Sequence, residues 1–162
     1  MQKVDAYFKR VFQEISPLQD TNGGNIIALQ IENEYGSYGN DKAYLNHLRE
    51  IMLQYGAQVP FFTSDGNNGN MLSGGTLPDA YKTLNFGSHA KTAFDILKQI
   101  QPDLPKTCME FWCGWFDHFG ERHHRRNASQ VAREMKELID QNANLNIYMF
   151  HGGTNFHFLG RR

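Results

Sequence analysis

The sequence predicts an α/β fold in which parallel strands are joined by helices. Segments with a helical period alternate with short apolar runs of strand length along the 162 residues. Polar side chains follow several of those runs, at the end of a parallel sheet where ligands bind. Neither a dinucleotide-binding glycine motif nor a phosphate-binding loop motif is present, so the main nucleotide-binding classes lack support. A (β/α)8 barrel and an open doubly wound sheet both remain compatible with this pattern.

Four segments repeat apolar side chains at the spacing of an α-helix, in which residues three and four apart share a face. Asp41 stands before the second segment and is predicted to cap it, and either Asn127 or Ser129 suits the start of the fourth. The four segments cover residues 4–15, 44–55, 93–100 and 131–139.

Five apolar runs of strand length lie between these helices, which is the order expected of parallel strands joined by crossover helices. The second and third runs are separated by residues 65–75, a Gly- and Asn-rich stretch that predicts a loop and a crossover without a helix. The five runs cover residues 25–31, 59–63, 83–86, 107–112 and 145–150.

Composition and charge predict a packed core and argue against a polyanionic partner. Hydrophobic residues make up 40% and charged residues 20%, and the formal net charge is −1. A balanced charge without a long block of one sign disfavours nucleic acid or an anionic membrane surface as partner. No run of about eighteen apolar residues is present to cross a membrane. The short basic stretch 123–126 is predicted to be a solvated loop.

The two cysteines, Cys108 and Cys113, are predicted to be free thiols. Their Cα atoms would lie about 17 Å apart on an extended strand, which is too far for a disulfide bond. Cysteine usage therefore leaves the cellular compartment open.

Two glutamates, Glu34 and Glu110, stand at the carboxyl ends of predicted strands. The two-residue period of a strand places Glu34 on one face with Glu32, and Glu110 on one face with Cys108. The opposite, apolar face of the first strand, which is predicted to meet the helices, consists of Ile27, Leu29 and Ile31.

Two carboxylates in an aromatic-lined mouth suit glycoside hydrolysis. One carboxyl group donates a proton to the leaving oxygen, and the other attacks the anomeric carbon or activates water. Five aromatic residues between Phe111 and Phe119 supply such a lining. The simpler interpretation of each glutamate is a solvated loop residue or a charge at a helix N-terminus. The pattern leaves open whether Glu32 or Glu34 is the working carboxylate.

Other groups of chemically active residues give weaker signals. Ser64, Asp65 and His89 permit Ser-His-Asp catalysis in principle, but no nucleophile-elbow motif accompanies them. A second group matches no zinc-ligand spacing, so a solvated loop without a metal is predicted there. This second group consists of Asp117, His118, Glu121, His123 and His124.

Three stretches resemble β-galactosidases of glycoside hydrolase family 35. They read IALQIENEYG at 27–36, EFWCGWFDHFG at 110–120 and YMFHGGTNF at 148–156. The stretch 76–87, TLPDAYKTLNFG, is similar to bacterial members. The resemblance implies a (β/α)8 TIM barrel followed by β-rich domains. Residues 1–162 are then expected to form a partial barrel of about five parallel strands, the fourth to the eighth, with intervening helices and no second domain.

The resemblance also implies a retaining β-galactosidase that hydrolyses terminal non-reducing β-D-galactosyl residues by double displacement, without a cofactor. It assigns the acid/base role to Glu34 and the nucleophile to Glu110, which settles the choice between Glu32 and Glu34. The predicted substrate-binding residues are Asn33, Tyr148, Glu32 and Trp112.

Expected partners are a β-galactoside oligosaccharide or glycoconjugate, together with the remainder of the barrel and the accessory domains in a full-length protein. A secreted, periplasmic or lysosomal location fits the family. Two rival hypotheses remain. The chain is either an inactive partial barrel with unpaired strand edges, or a related retaining exo-glycosidase for another β-linked sugar such as glucosamine.

Overall fold

The computed structural model describes residues 1–118 and 120–151. Within these residues five α-helices alternate with five strands, and none of the helices is long and apolar enough to cross a lipid bilayer. The elements are α1 (Gln2–Ile15), β1 (Leu29–Gln30), α2 (Lys42–Gln54), β2 (Phe61–Gly66), α3 (Gly69–Gly75), β3 (Tyr81–Phe86), α4 (Ala90–Ile100), β4 (Thr107–Trp112), α5 (Ala128–Asp140) and β5 (Asn144–Tyr148).

The five strands form one parallel sheet in the order β1-β2-β3-β4-β5. Each strand is therefore hydrogen-bonded to the strand that follows it in the chain, with a helix in every connection. This arrangement confirms the predicted partial (β/α) barrel of about five parallel strands. The bounds of β4 match the prediction, whereas β1 keeps only two residues of the predicted run 25–31.

The chain divides into two compact units, residues 1–83 and 84–162. In the first unit, the apolar faces of α1 and α2 pack with residues around β1 into one core. Leu45 and Leu48 are 0% and 3% exposed, which confirms the predicted apolar stripe on α2. The buried members of this core are Phe12, Ile31, Leu45, Leu48, Ile51, Met52, Ala57, Leu77 and Ala80.

In the second unit, α5 supplies carboxylates to the start of α4. Glu134 accepts a hydrogen bond from the backbone N–H of His89 at 3.3 Å. Glu137 accepts one from the backbone N–H of Lys91 at 2.9 Å. These donors belong to the first turn of α4, where helix N–H groups have no partner within the helix. The two acidic side chains therefore cap α4 in place of a side chain on its own N-terminus.

The predicted caps of α2 and α5 are confirmed, and the second of them resolves an alternative. Asp41 accepts hydrogen bonds from the backbone N–H groups of the first turn of α2. Asn127, and not Ser129, does the same for α5, at 2.9 and 3.2 Å. Each cap satisfies two N–H groups that the helix itself leaves unpaired.

The prediction of a loop over residues 65–75 was wrong, because α3 occupies Gly69–Gly75. Asn68 caps this helix by accepting a hydrogen bond from the backbone N–H of Met71 at 2.9 Å. Glycine costs about 1 kcal/mol per residue in a helix interior relative to alanine, which is why the composition predicted a loop. In α3 the glycines allow a close backbone contact with neighbouring segments, and this contact outweighs the low helix propensity of glycine.

The glycines around α3 allow its backbone to lie against neighbouring segments. A Cβ atom on Gly75 would stand 1.7 Å from Asp65 Oδ1 on β2. A Cβ atom on Gly36 would stand 1.7 Å from the carbonyl oxygen of Met71. No side chain fits at such distances, so both positions require glycine. The segment that follows Glu34 therefore packs directly on the α3 backbone.

Lys42 connects the start of α2 to the end of α3. Its ammonium group donates hydrogen bonds to three backbone carbonyl oxygens, which are acceptors that a helix C-terminus leaves without partners. Burial lowers the pKa of Lys42, and the charge of Asp65 partly opposes this effect. The three carbonyls belong to Ser73 at 2.6 Å, Gly74 at 2.9 Å and Thr76 at 2.6 Å.

Candidate active site

The turn after β1 carries the predicted acid/base residue. Its backbone is left-handed twice, with φ of 59° at Glu32 and 52° at Glu34. This conformation is uncommon for residues other than glycine. The predicted strand alternation through Glu34 is therefore wrong beyond Ile31, and the turn, not the strand period, sets the direction of both carboxylates.

The predicted apolar face of the first strand is confirmed only in part. Ile31 is 1% exposed and Leu29 packs against the core of the first unit. Ile27, in contrast, is 73% exposed. Because β1 begins at Leu29, Ile27 precedes the regular strand and does not share its alternation.

One extra residue separates β1 from the turn. The backbone N–H of Ile31 donates to the carbonyl of Phe62 at 2.9 Å, and that of Glu34 donates to the carbonyl of Ser64 at 2.9 Å. The two donors are thus three residues apart in the first segment, whereas their acceptors are two residues apart in β2. In a regular parallel ladder both separations would be two residues. Such a bulge re-aims the side chain beside it, and bulges are common next to active sites.

Glu32 is held by hydrogen bonds to both carboxylate oxygens. The hydroxyl of Tyr44 donates to Glu32 Oε1 at 2.5 Å, and the backbone N–H of Asn33 donates to Oε2 at 2.9 Å. Burial raises the pKa of Tyr44 to about 12, and the hydrogen bond and charge of Glu32 add to this increase. Nothing in the sequence pattern indicated Tyr44 as a partner of Glu32. The substrate-binding role of Glu32 stays a prediction.

Asn33 lies exposed at the tip of the turn, beside a cavity of about 740 Å³ in the first unit. Its Oδ1 accepts a hydrogen bond from the amide of Gln30 at 3.0 Å, which leaves its amide NH₂ group facing away from that bond. The role of Asn33 in binding sugar stays a prediction. The cavity is lined by Met1, Glu32, Asn33, Tyr35, Tyr38, Asp41, Ala43, Tyr44 and His47.

Asp65, on β2, is a buried carboxylate behind this turn. It is 1% exposed, and its Oδ1 accepts a hydrogen bond from the backbone N–H of Gly36 at 3.0 Å. Its pKa is raised to about 6, chiefly by burial and further by the charge of Glu34, while the Gly36 N–H and Lys42 oppose the rise. The sequence indicated Asp65 as a polar residue at a strand end and as a possible member of a Ser-His-Asp group, but not as buried, because burial of one side chain leaves no mark in a single sequence.

Glu110 lies within β4, at a second one-residue bulge. Cys108 pairs with Leu84 on β3. Glu110, two positions further along β4, pairs with Asn85, the residue directly after Leu84. The register toward β5 also shifts, between Cys108 and Phe111. Regular alternation is therefore interrupted beside Glu110, as it is beside Glu34, and the simple two-residue period does not apply across either site.

Aromatic side chains follow Glu110 in the chain, and one of them contacts it directly. Trp112 Nε1 donates a hydrogen bond to Glu110 Oε2 at 3.1 Å, which stabilises negative charge on this carboxylate. The ring of Trp112 meets Trp115 edge to face, and Trp115 stacks on Phe116 with centroids 5.1 Å apart. Trp115 is 52% exposed. The contact with Glu110 is made by Trp112. An aromatic lining of the sugar site, and the substrate-binding role of Trp112, stay predictions.

Tyr148 lies at the end of β5, where its Cα pairs in register with that of Trp112. It is 48% exposed, and its predicted contact with galactose stays a prediction. The rest of the motif that begins at Tyr148, from Gly152 to Phe156, lies outside the described residues, as does Phe119 of the aromatic lining.

Arg126 anchors the chain beside β4. Its guanidinium donates to the carbonyl oxygen of Trp112. A Cβ atom on Gly87 would stand 2.6 Å from the same oxygen, so this carbonyl lies against the Gly87 backbone. The prediction of a solvated loop over 123–126 holds for residues 123–125, which are exposed. Arg126 is half-buried, and it fixes the backbone that carries Trp112.

The carboxylates and histidines after β4 pair with one another at the surface. Asp117 accepts from the backbone N–H of His124 and contacts the rings of His123 and His124 at 2.7 and 3.0 Å. These bonds lower the pKa of Asp117 to about 2, the His124 N–H contributing most. His118 pairs with Glu121 at 2.8 Å. Among residues 1–118 and 120–151, no group of three such side chains is arranged to hold a metal ion.

Both cysteines are free thiols, which confirms the prediction. Cys108 is buried, and its Sγ contacts the carbonyl oxygen of Phe86 at 3.7 Å. Burial raises its pKa to about 12, so the thiol is not a nucleophile at neutral pH. Cys113 is half-buried near β5, with its Sγ 3.6 Å from the carbonyl oxygen of Met149.

Comparison with known proteins shows which family of proteins this chain belongs to. The profile of the Glycosyl hydrolases family 35 matches residues 1–161. The chain therefore belongs to this family.

Several curated relatives align with nearly the whole chain. A "Beta-galactosidase" of Xanthomonas manihotis is 44% identical over 156 residues, which are 95% of this chain and 26% of the relative. A "Beta-galactosidase-1-like protein 3" of Rattus norvegicus is 38% identical over 98% of the chain and 25% of the relative. A "Beta-galactosidase-1-like protein 2" of Homo sapiens is 39% identical over 96% of the chain and 24% of the relative. The chain thus spans about a quarter of the length of these relatives.

Proposed function

We propose that this chain carries the catalytic carboxylates of a retaining β-galactosidase. Glu34 donates its proton to the glycosidic oxygen while Glu110 attacks the anomeric carbon, which expels the aglycone and leaves a covalent galactosyl-enzyme. Glu34, now ionised, takes a proton from water as that water attacks the anomeric carbon. The bond to Glu110 breaks, galactose leaves with its anomeric configuration retained, and both carboxyl groups return to their starting states.

The observation that carries the proposal is the family 35 match across residues 1–161, which includes both glutamate motifs. The surroundings of the two residues support their different roles. Trp112 donates a hydrogen bond to Glu110, which suits a carboxylate that must be ionised to attack. The backbone N–H of Glu34 is bonded to the Ser64 carbonyl of β2, which suits a carboxyl group that must be held in position to deliver a proton.

The extent of the catalytic domain and its substrates are part of the same proposal. We infer that the two compact units are consecutive parts of one partial barrel domain over residues 1–162, because β3 runs through their boundary. The remainder of the barrel and β-rich accessory domains are expected in a full-length protein. The substrates are β-galactoside oligosaccharides or glycoconjugates, contacted by Asn33, Tyr148, Glu32 and Trp112.

Hydrolysis of aryl and alkyl β-galactosides tests this function. Glu110→Gln is expected to abolish turnover, because an amide does not form the glycosyl ester. Glu34→Gln is expected to lower kcat/KM on an alkyl galactoside by about 10²–10⁴-fold, since the leaving oxygen no longer receives a proton. The sugar released first, observed by NMR, is expected to be the β anomer. The matched control is Glu50→Gln, an exposed position on α2 that is expected to leave the rates unchanged.

Two protein forms separate the rival hypotheses. The first is the 162-residue chain itself, and the second is the Xanthomonas manihotis relative in which this chain replaces the aligned segment. Activity of the graft alone identifies the isolated chain as an incomplete barrel whose residues are nevertheless competent. Inactivity of both forms, when each is folded, contradicts the proposal. A faster rate on aryl β-glucosaminide than on aryl β-galactoside would replace galactose by another β-linked sugar.

A further inference from the structure

Asp65 is a buried carboxylate that the proposed double displacement does not use. It is 1% exposed, whereas an ionisable side chain is seldom buried without a role. Neither the family resemblance nor the strand pattern gives it one. The inference that follows rests on the proposed function, because it takes Glu34 as the acid/base residue.

Asp65 is bonded to the turn that carries Glu34. Its Oδ1 accepts a hydrogen bond from the Gly36 N–H at 3.0 Å, two residues after Glu34. Glu34 itself is attached through its backbone N–H to the carbonyl of Ser64, the residue before Asp65. Adjacent residues of β2 thus hold both ends of the segment from Glu34 to Gly36. A left-handed residue such as Glu34 persists only where its surroundings fix it, and these two bonds do so.

The position of Asp65 is itself fixed by a close backbone contact. Gly75 of α3 lies so near that a Cβ atom there would stand 1.7 Å from Asp65 Oδ1. The carboxylate therefore cannot rotate toward α3 and remains directed at the turn. Lys42, whose ammonium group caps the end of α3, is the cation that acts on Asp65.

The charge of Asp65 acts on the same turn. The charged groups that influence it are Glu34, Lys42 and Glu32, and the interaction between Asp65 and Glu34 is repulsive when both are ionised. The charge of Glu34 thus contributes to the raised pKa of Asp65, so the two carboxylates lie close enough to interact.

We propose that Asp65 is a positioning residue for Glu34, which fixes the Glu34–Gly36 segment through its acceptor bond to Gly36. Its effect therefore falls on proton donation to the leaving group. A residue with a merely structural role would instead affect every substrate alike.

Two substrates that differ in their need for a proton separate these roles. The leaving group of methyl β-galactoside requires protonation, whereas dinitrophenolate leaves as a stable anion without it. Asp65→Leu, which removes the acceptor and leaves the Gly36 N–H unpaired, is expected to lower kcat/KM on methyl galactoside about 10–100-fold more than on the dinitrophenyl galactoside. Glu34→Gln is expected to show the same selectivity.

Asp65→Asn tests the bond itself, because its amide oxygen still accepts from Gly36. It is expected to keep most of the rate on both substrates, unlike Asp65→Leu. Asp20→Asn, at an exposed aspartate of the first unit, is the matched control and is expected to change neither rate.

Each result decides a different statement. Equal slowing of both substrates by Asp65→Leu would make Asp65 merely structural and overturn this inference, and so would loss of the methyl galactoside rate in Asp65→Asn, which keeps the acceptor. If Glu34→Gln itself slows both substrates alike, the acid/base assignment fails instead. The measurements use the 162-residue chain if it is active, and otherwise the graft in the Xanthomonas manihotis relative, so that inactivity of the isolated chain does not leave the question open.

Discussion

Three carboxylates crowd the turn after β1, and each has different surroundings. Glu32 has both oxygens hydrogen-bonded, to Tyr44 and to the turn itself. Asp65 is buried and bonded to Gly36. Glu34 has a left-handed conformation and is the residue proposed to transfer the proton. Glu32 is thus engaged by its own hydrogen bonds, whereas Asp65 holds the segment that begins at Glu34.

The Tyr44–Glu32 bond makes a prediction about stability. Tyr44→Phe is expected to lower the free energy of unfolding by about 1–2 kcal/mol, because one oxygen of a half-buried carboxylate then loses its donor. Denaturant titration measures this difference. The control is Tyr38→Phe, whose ring is 84% exposed and which is expected to change stability very little. Equal losses in the two variants would show that the bond contributes nothing specific.

The element that sequence patterns missed, α3, is the one on which the turn rests. Its glycines allow Gly36 and Asp65 to approach the helix backbone, while Lys42 closes its C-terminal end. The short helix thus braces the segment after Glu34 from one side, and β2 holds that segment from the other. The contact with α3 is between backbones at Gly36, whereas β2 acts through the Ser64 carbonyl and the Asp65 carboxylate.

Two glycines of α3 offer a matched test of this packing. Gly75→Ala is expected to lower the free energy of unfolding by about 3 kcal/mol, because its Cβ would overlap Asp65. Gly69→Ala, in the first turn of the same helix with no atom within 4 Å of the added Cβ, is expected to be neutral or stabilising by up to about 1 kcal/mol. Thermal unfolding of both variants checks the difference. Similar midpoints would contradict a tight contact at Gly75.

Periodic patterns predicted most elements, because burial of one face imposes a repeat on the sequence. The four helical stripes and five apolar runs all correspond to observed elements. The two bulges could not be predicted, since an unpaired extra residue in a strand looks like any other. Likewise α3 could not be predicted, since single-sequence propensity counts glycine as a helix breaker and does not see which backbone lies against it.

At the scale of the whole molecule, Asp65 makes stability depend on pH. Its folded pKa of about 6 lies above its ordinary value of 3.8, so the folded state binds this proton more tightly than the unfolded state. The contribution is fully present below about pH 4 and is lost as the pH rises through about 6, and it amounts to at most about 3 kcal/mol. Asp117, with its pKa lowered to about 2, has the opposite sign and stabilises the fold except in strong acid.

Asp65→Asn removes the first of these effects and provides the test. Relative to the wild type, the variant is expected to gain about 1–3 kcal/mol in its free energy of unfolding between about pH 4 and about pH 7.5. Denaturant titrations across that range, with Asp20→Asn as the control, measure the change. A difference between variant and wild type that is constant with pH would mean that Asp65 does not titrate in this range.

The sequence predicted the two reacting glutamates of the candidate site but not the residues that hold them. Motif resemblance indicated Glu34 and Glu110, and the family match covers both. The partners that support them, Tyr44, Asp65 and Arg126, lie far from them along the chain or carry no motif. These contacts form only when folding brings separate segments together. A single sequence therefore predicts the reacting groups, through their motifs, more easily than the groups that hold them.

The two bulges have a consequence for how this protein tolerates genetic change. Glu34 and Glu110 each lie beside one surplus residue in an otherwise regular ladder. Point substitutions leave that surplus in place, so the register of each segment is kept. Deletion of a single codon at either bulge would shift the register and move the glutamate relative to the neighbouring strand. The number of residues through each bulge is therefore a constraint separate from their identity.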